Sequence, residues 1–188
     1  MITIGITGTL GAGKGAVVEY LKGTYGFSHY SARAFIVEEI QRRGLPVDRD
    51  SMTLVGNALR SEHHAGYIIE ELYNQAVSSG QNVIIESIRT KGEIETLKGK
   101  VKDIHFYLLA VDADQYTRYE RIKLRKSTTD SISFEKFIHD EDREMISDDP
   151  TKQNLRYCID HADYVFQNDG TLEELYKQVD AVMKEIMK

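Results

Sequence analysis

The chain contains little of several residue types on which some protein classes depend. Its 188 residues include one cysteine, Cys158, two prolines and no tryptophan. A lone cysteine excludes an intrachain disulfide and a cysteine-rich zinc site. The scarcity of proline and the lack of low-complexity tracts give no indication of a linker. We therefore expect a single domain over residues 1–188, long enough to bury a hydrophobic core.

Long apolar runs and an excess of positive charge are also missing. No apolar run approaches the roughly 20 residues needed to span a bilayer, and the N-terminus lacks the features of a signal peptide. The formal net charge is −6, whereas proteins that bind the nucleic-acid backbone usually carry a basic face. The sequence thus predicts a soluble, cytoplasmic monomer or homodimer without an obligatory nucleic-acid or membrane partner.

Short apolar segments alternate with helical patterns along the chain. Strands are predicted at residues 2–7, 27–30, 81–86, 104–111 and 164–167. Helices are predicted at residues 14–22, 32–43, 51–62, 65–78, 93–98, 114–125, 134–146, 155–162 and 172–187. Continuous apolar strands between helices indicate a parallel sheet covered on both faces. We expect a three-layer α/β/α fold around a parallel five-stranded sheet.

The first strand runs directly into a glycine-rich loop that ends in Gly-Lys. The loop reads Gly8-Thr9-Leu10-Gly11-Ala12-Gly13-Lys14-Gly15, and Ala16 follows it. Backbone N–H groups of such a loop point at an anion, the next helix adds its positive N-terminal end, and the lysine reaches the outer phosphates. This predicts a P-loop that binds a nucleoside triphosphate through the residues from Gly8 to Ala16. Gly15 replaces the hydroxyl residue that usually helps to hold Mg²⁺.

A second polar cluster follows the strand at 81–86. Ligands of open parallel sheets bind at the carboxyl ends of the strands, and both Gly8 and Glu86 follow strand ends. A carboxylate there can hold Mg²⁺ directly or through water, and Arg89 can grip a phosphate with two N–H groups. The alternative is that Glu86 is a helix N-terminal residue and Arg89 a surface charge.

A third cluster is a stripe of arginines. Arg118, Arg121 and Arg125 have the i, i+3, i+7 spacing of one helix face. Phosphoryl transfer needs cations placed beforehand around the transferred oxygens, which favours a catalytic role for Arg121 and Arg125. The alternative is a solvated face paired with Glu120 and nearby acids, and for Arg118 the two interpretations are equally supported.

Two further features are weighed in the same way. The run Asp140-Glu141-Asp142-Arg143-Glu144 is interpreted as mostly solvated, but Arg143 can reach a phosphate if this segment closes over the site as a lid. Adjacent histidines, His63 and His64, point about 100° apart on a helix, which argues against shared metal ligation.

Together these residues resemble the nucleoside monophosphate kinase group of P-loop proteins, which includes adenylate kinase and dephospho-CoA kinase. The resemblance covers nearly the whole chain. It implies acceptor-binding helices at about 31–78 and a lid at about 125–150. The adenylate-kinase loop also has glycine after the lysine and then a threonine, where this chain has Ala16. Mg²⁺ would then rest on the nucleotide, on water, and on Glu86 or Thr7.

The resemblance assigns roles to several positions. Glu86 to Thr90 resembles the segment in which the acid organises the metal and the arginine grips the acceptor phosphate, so Glu86 and Arg89 take those roles. Arg121 and Arg125 match the paired arginines before the lid. The segment 162–175 resembles the C-terminal segment of dephospho-CoA kinases, whose loop lies beside the nucleotide base, which implies that Asn168 and Gly170 contact the nucleotide.

A less characterised branch is the closest resemblance: archaeal adenylate-kinase-related proteins and the kinase-like domains of some dCMP deaminases. These share Ser87-Ile88-Arg89 followed by an acid, here Glu93 or Glu95. Deamination itself is excluded, because Cys158 is alone and the zinc motif is missing. In the adenylate-kinase pattern the acceptor-phosphate arginine would stand at Val37, and Arg33 or Arg60 can substitute for it.

Three functions remain open on the sequence. The first is transfer of the γ-phosphoryl of ATP, with Mg²⁺, to a small phosphorylated acceptor such as a nucleoside or deoxynucleoside monophosphate. The predicted acceptor residues are Arg33, Arg60, Glu86, Arg89 and Arg143, and the predicted catalytic residues are Lys14, Arg89, Arg121 and Arg125. The second is a nucleotide-binding sensor with little transfer activity. The third is a small-molecule kinase that resembles dephospho-CoA kinase.

Overall fold

A computed structural model describes residues 1–101, 105–125 and 132–188 of the chain. Strands and helices alternate along it. The strands are β1 (Thr3–Gly8), β2 (Ser28–Ser31), β3 (Val83–Glu86), β4 (Phe106–Asp112) and β5 (Tyr164–Gln167). The helices are α1 (Lys14–Tyr25), α2 (Ala32–Arg42), α3 (Arg49–Glu62), α4 (Tyr67–Val77), α5 (Lys91–Lys100), α6 (Gln115–Arg125), α7 (Phe134–Met145), α8 (Leu155–Asp160) and α9 (Leu172–Ile186).

The five strands form one parallel sheet in the order β2-β3-β1-β4-β5. In this register Ile6 of β1 and Ser31 of β2 are both paired with Glu86 of β3. The carboxyl ends of β1 and its two neighbours therefore lie side by side, and each ends in a residue suited to phosphate or metal chemistry or to a tight turn. These residues are Gly8, Glu86 and Asp112.

Helices cover both faces of the sheet, and each face has its own hydrophobic core. One core packs α1 and α9 against β1, β3, β4 and β5, with Ile4 and Ile84 among its members. The other packs α2 to α5 and α8 against β3 and β4, with Ile85 and Leu108 among its members. Because side chains alternate across a strand, the consecutive residues Ile84 and Ile85 serve opposite cores. This explains why β3 is an unbroken apolar run.

Several helices begin at side chains that cap their first N–H groups. Ser31 caps α2 and Asp48 caps α3, where its Oδ1 accepts a hydrogen bond from the N–H of Ser51 at 2.8 Å. Helix α9 opens with a capping box between Thr171 and Glu174. These local signals place the helix starts close to where the sequence predicts them.

The predicted three-layer fold and five-stranded parallel sheet are confirmed. Boundaries shift by one to three residues, as where the helix predicted at 14–22 continues to Tyr25. The start of the strand predicted at 104–111 and residues 126–131 of the expected lid lie outside the described residues. Within the described part of the chain, no helix combines the length and apolar character that a membrane crossing requires.

Candidate active site

The loop between β1 and α1 has the backbone of a phosphate cradle. Gly8, Gly11 and Gly13 have φ angles of 129°, 82° and 105°, in the region that favours glycine. A Cβ at Gly13 would lie 2.3 Å from Nδ2 of Asn168, and one at Gly11 would lie 2.5 Å from the carbonyl oxygen of Arg118. Both the conformation and the close packing therefore require glycine. Among the described residues, no side chain caps the N-terminus of α1, so its first N–H groups are available to an anion.

Lys14 folds back over the loop. Its Nζ donates hydrogen bonds to the carbonyl oxygens of Gly8, at 2.9 Å, and Thr9, at 2.7 Å. Burial and the nearby charge of Arg89 lower the pKa of Lys14 from 10.5 to about 7. A bound triphosphate would place negative charge beside this amine and raise its pKa again.

This pKa predicts a pH dependence of nucleotide binding. Above pH 7 free Lys14 loses its proton, so binding must take up a proton and becomes weaker as the pH rises. We expect the Kd for a non-hydrolysable ATP analogue to increase about twentyfold between pH 7.5 and 9, by linkage from a pKa near 7. Calorimetry in buffers of different ionisation enthalpy would measure the proton uptake directly.

A Lys14→Arg variant is the control, because arginine keeps its charge over this range. Its affinity should be independent of pH between 7.5 and 9. A wild-type Kd that is flat over the same range would contradict the low pKa of Lys14.

Glu86 lies at the end of β3, where the chain turns sharply. Ser87 has a φ of 75°, a strained value for a residue with a side chain. Oε2 of Glu86 is 3.0 Å from Nε2 of His29 on β2. Burial raises the pKa of Glu86, but the hydrogen bond and charge of His29 and the charges of Lys14 and Arg89 outweigh it and lower the pKa overall. Glu86 is thereby held as a carboxylate.

The donor set beside the loop fits Mg²⁺ held mainly by a nucleotide. In the described part of the chain, no cluster of three or more histidine, cysteine or acidic side chains is placed to hold a metal. Mg²⁺ commonly binds one or two carboxylates, water and substrate phosphates, and the ionised Glu86 lines the cavity with Lys14. Thr7 is committed elsewhere, since its buried hydroxyl donates to the carbonyl oxygen of Ile88 at 2.7 Å.

Arg89 is held by one side chain of α7 and one from the loop between α7 and α8. Its Nη1 donates to a carboxylate oxygen of Glu144 on α7 and to Oε1 of Gln153, at 3.1 Å. Arg60 lies on α3 and is only 2% exposed, and its Nε donates to Oε1 of Glu93 at 2.9 Å. Arg33 is exposed on α2. All three arginines line one cavity, so the structure brings together Arg33, Arg60 and Arg89.

The arginines of α6 have different environments. Nη1 of Arg121 donates to the carbonyl oxygen of Asn168 at 2.7 Å, and Nδ2 of Asn168 donates to the carbonyl oxygen of Ala12 at 2.8 Å. Arg121, Arg125 and Asn168 line the cavity, as does Gly170. Arg118 does not line it, because its guanidinium is buried in a two-pronged ion pair with Glu141 of α7.

Arg143 does not line the cavity either. Its Nη1 is 3.1 Å from Oδ1 of Asp50 at the start of α3, and both side chains are partly exposed. The structure therefore places Arg143 between α7 and α3, and its contact with a phosphate in a closed lid stays a prediction.

One cavity is lined by residues of the phosphate loop, by Glu86 and by the predicted arginines other than Arg118 and Arg143. Its volume is about 880 Å³. Among the described residues its acidic lining side chains are Glu86 and Glu144. Basic side chains dominate, in contrast to the net charge of the chain. They are Lys14, Arg33, Arg49, Arg60, Arg89, Arg121 and Arg125. Such a lining favours ligands that carry several negative charges.

Sequence reasoning missed several lining or supporting residues, among them His29, Glu144 and Gln153. His29 becomes relevant only because β2 pairs with β3. Glu144 belongs to the charge run that was interpreted as solvated. The sequence did contain a sign that one face of this helix is buried, because the apolar Phe137 and the acidic Glu141 have the i, i+4 spacing of one helix face. Both residues are buried in the structure.

Comparison with known proteins agrees with this geometry. A family model described as the AAA domain matches residues 4–147. The chain belongs to this AAA-domain family. It is 28% identical over 184 residues to a UPF0200 protein of Pyrobaculum aerophilum, covering 97% of both chains. It is 29% identical over 195 residues to one of Methanocaldococcus jannaschii, covering all of this chain and 91% of that one.

Solved structures show the same fold at low sequence identity. TT1252 from Thermus thermophilus aligns with a TM-score of 0.61 at 20% identity and covers 98% of this chain and 97% of its own. A gluconokinase from Sinorhizobium meliloti aligns with a TM-score of 0.59 at 14% identity, covering 98% and 93%. A shikimate kinase from Bacteroides thetaiotaomicron aligns with a TM-score of 0.55 at 13% identity, covering 100% and 99%. The fold is therefore a P-loop, kinase-like α/β fold.

Proposed function

We propose that the chain is an ATP-dependent phosphotransferase that moves the γ-phosphoryl group to a small phosphorylated acceptor, a nucleoside or deoxynucleoside monophosphate. The observation that carries the proposal is that one cavity is lined both by the phosphate loop and by Arg60 and Arg89. Its volume of about 880 Å³ is near the upper end of small-molecule sites, about 300–1,000 Å³. Two anionic ligands can therefore be held in one enclosed space.

In this proposal the protein acts by positioning and electrostatics. Lys14 and the loop N–H groups hold the β- and γ-phosphates, and Arg121 and Arg125 offset the charge that spreads over the transferred oxygens. Arg89 grips the acceptor's phosphate, helped by Arg33 or Arg60. No nucleophile on the protein is needed, because the acceptor's own oxygen attacks the phosphorus.

Glu86 is the residue proposed to orient Mg²⁺, with His29 behind it. A bound metal would supply positive charge that offsets the charge developing on the phosphates. The lowered pKa of Glu86 keeps its carboxylate ionised near neutral pH. The proposal also includes a cytoplasmic location, a monomer or homodimer, and no obligatory nucleic-acid or membrane partner.

A nucleotide sensor with little transfer activity is the second candidate. Two observations favour it. Arg89, the proposed acceptor clamp, is already paired with Glu144 and Gln153, and neither Gly15 nor Ala16 supplies the usual loop hydroxyl. A sensor would bind the triphosphate and change conformation without turnover.

A turnover screen separates these candidates. Purified protein with ATP and Mg²⁺ is tested against ribo- and deoxynucleoside monophosphates and dephospho-CoA, with ADP release and phosphorylated product measured. The proposal expects one class of monophosphate to raise ADP release well above background. ATP binding without stimulation by any acceptor would reject the kinase and support the sensor, and stimulation by dephospho-CoA alone would identify a small-molecule kinase.

Restoring the missing hydroxyl tests the proposed metal arrangement. A Cβ at Gly15 would meet no atom within 4 Å, so Gly15→Ser should fold normally. The new hydroxyl stands where P-loops hold Mg²⁺. We expect it to lower the Mg²⁺ concentration needed for half-maximal ATP binding several-fold, because the hydroxyl gives the metal one more oxygen ligand.

Gly15→Ala is the matched control, since it adds the Cβ without the hydroxyl. It should leave the Mg²⁺ dependence unchanged. Equal Mg²⁺ titrations for the serine and alanine variants would show that other groups hold the metal and that the hydroxyl position is irrelevant here.

A further inference from the structure

One carboxylate, that of Glu93, connects two arginines of the cavity. It lies in the first turn of α5 and is 0% exposed. Its Oε1 accepts a hydrogen bond from Nε of Arg60 at 2.9 Å. The same oxygen forms an ion pair with Nη2 of Arg60 at 2.8 Å. Oε2 accepts from the backbone N–H of Arg89 at 2.7 Å and of Thr90 at 3.1 Å. The two oxygens therefore tie the Arg60 guanidinium to the main chain of Arg89.

This arrangement satisfies Glu93 but leaves part of Arg60 unused. A buried carboxylate is stable only when it is paired and hydrogen-bonded, and Glu93 meets both conditions. The Arg60 side chain is 1% exposed, yet its Nη1 has no hydrogen-bond partner among the described residues. Such an unpaired buried donor is costly, and Arg60 lines the cavity.

Nη1 of Arg60 lies beside a glycine of the same helix. Gly56 is one turn before Arg60 on α3, and a Cβ there would stand 3.4 Å from Nη1. The lack of a side chain at Gly56 thus keeps carbon away from this nitrogen. The free Nη1 and the Arg89 side chain, whose main chain is fixed by the same carboxylate, suit one anionic group.

We propose that Glu93 is a positioning residue that holds Arg60 and Arg89 as one preset pair for the anionic group of the acceptor. The inference rests on the proposed function and assigns the acceptor's phosphate to this pair. It also distinguishes the two acids that follow Ser87-Ile88-Arg89. Glu95 is largely exposed, and its carboxylate pairs with Lys91 at 3.6 Å. Of these two acids, only Glu93 is therefore placed to act on the site.

The first measurement needs no acceptor and no variant. The donor site is saturated with a non-hydrolysable ATP analogue and Mg²⁺, and inorganic phosphate is titrated while the side-chain Nε–H signals of Arg60 and Arg89 are followed by NMR. We expect both signals to shift along one binding curve. A phosphate titration that leaves the Arg60 signal unmoved would overturn the inference.

The second measurement compares matched variants. Glu93→Gln should weaken phosphate binding about tenfold or more, since it displaces groups that must be placed to within about 1 Å, while ATP binding stays within twofold. Glu95→Gln, the same change on the exposed side of α5, should bind phosphate like the wild type. If Glu93→Gln does not fold, Glu93→Asp keeps the charge opposite Arg60 and shortens only its reach, so it should show the same selective loss.

The turnover data separate this inference from the proposed function. Once an acceptor has been identified, Glu93 variants should show a higher KM for the acceptor and an unchanged KM for ATP. Folded Glu93 variants with wild-type phosphate affinity and acceptor KM would overturn the positioning role and leave the kinase intact. Selective loss of phosphate binding in a protein that phosphorylates no acceptor would sustain the preset pair and reject the kinase.

Discussion

Replacing Lys14 by methionine is expected to reduce phosphoryl transfer by about 10²- to 10³-fold, the usual cost of removing one group placed to stabilise transition-state charge. Methionine keeps most of the side-chain volume but removes the charge. Nζ of Lys14 contacts the carbonyl oxygens of Gly8 and Thr9 in the ligand-free loop, and it would move from them to the phosphates. The fall should appear in kcat as well as in ATP affinity, because the Lys14 charge supports triphosphate binding and charge on the transferred group grows further in the transition state.

Two further variants make this result interpretable. Lys22→Met changes another lysine of α1, whose Nζ is 2.7 Å from the exposed Glu19, and it should retain full activity and nucleotide affinity. Lys14→Arg keeps the charge but has a larger, planar head group, and it should recover only part of the rate. Wild-type triphosphate binding and turnover in Lys14→Met would disprove the assignment of the loop itself.

The second large effect is expected on stability. Arg118→Met should lower the free energy of unfolding by about 3–5 kcal/mol, the cost of leaving one partner of a buried ion pair alone. Glu141, its partner, is 8% exposed and Arg118 is 5% exposed. Arg118 also donates to the carbonyl oxygens of Ala113, at 2.8 Å, and Leu10, at 3.2 Å. Because Leu10 belongs to the phosphate loop, ATP affinity should fall as well.

Urea unfolding followed by circular dichroism measures this loss, since the chain has no tryptophan to report it. Adding Glu141→Gln to Arg118→Met removes the unpaired charge and should restore part of the stability. Lys123→Met, on the same helix, breaks an exposed ion pair with Glu120 and a cation–π contact with Tyr119, and it should lower stability by about 1 kcal/mol at most. If Arg118→Met and Lys123→Met unfold at the same urea concentration, the buried pair does not support the fold as argued.

Two ion pairs, Glu141 with Arg118 and Glu144 with Arg89, connect α7 to the rest of the site. Glu141 reaches Arg118 behind the phosphate loop, and Glu144, one turn on, reaches Arg89 at the end of β3. One helix thus contacts groups proposed for the donor side and for the acceptor side. Part of the segment leading into it lies outside the described residues, so the lid expected at 125–150 remains a prediction.

Much of the fold followed from local patterns. Apolar runs such as 83–85 alternate with amphipathic helices, and that alternation specifies a covered parallel sheet before any contact is known. The phosphate loop was equally readable, because its function needs glycine conformations and one lysine within a short stretch of chain. Glu86 and Arg89 could be placed beside it, since the ends of neighbouring parallel strands meet at one edge.

Local patterns did not predict which side chains of different helices and strands would pair. The arginine stripe on α6 appeared uniform, yet Arg121 faces the cavity and Arg118 a buried carboxylate. Nothing in the sequence favoured Glu93 over Glu95 as the acid that follows Arg89, but in the structure Glu93 is buried and Glu95 is exposed. Arg89 and Arg143 were both predicted as phosphate ligands, Arg143 only if a lid closes, and of the two only Arg89 lines the cavity.

The sequence by itself determined the sheet, the phosphate loop and the edge at which chemistry is expected, because these depend on short-range geometry and on the period of apolar residues. The tertiary structure alone decided which charged residues meet. It brought His29 to Glu86, Glu144 to Arg89 and Glu93 to Arg60, pairs separated by up to 57 residues. Burial gives such contacts their energetic weight, and burial is set by how whole elements pack rather than by the identity of one residue.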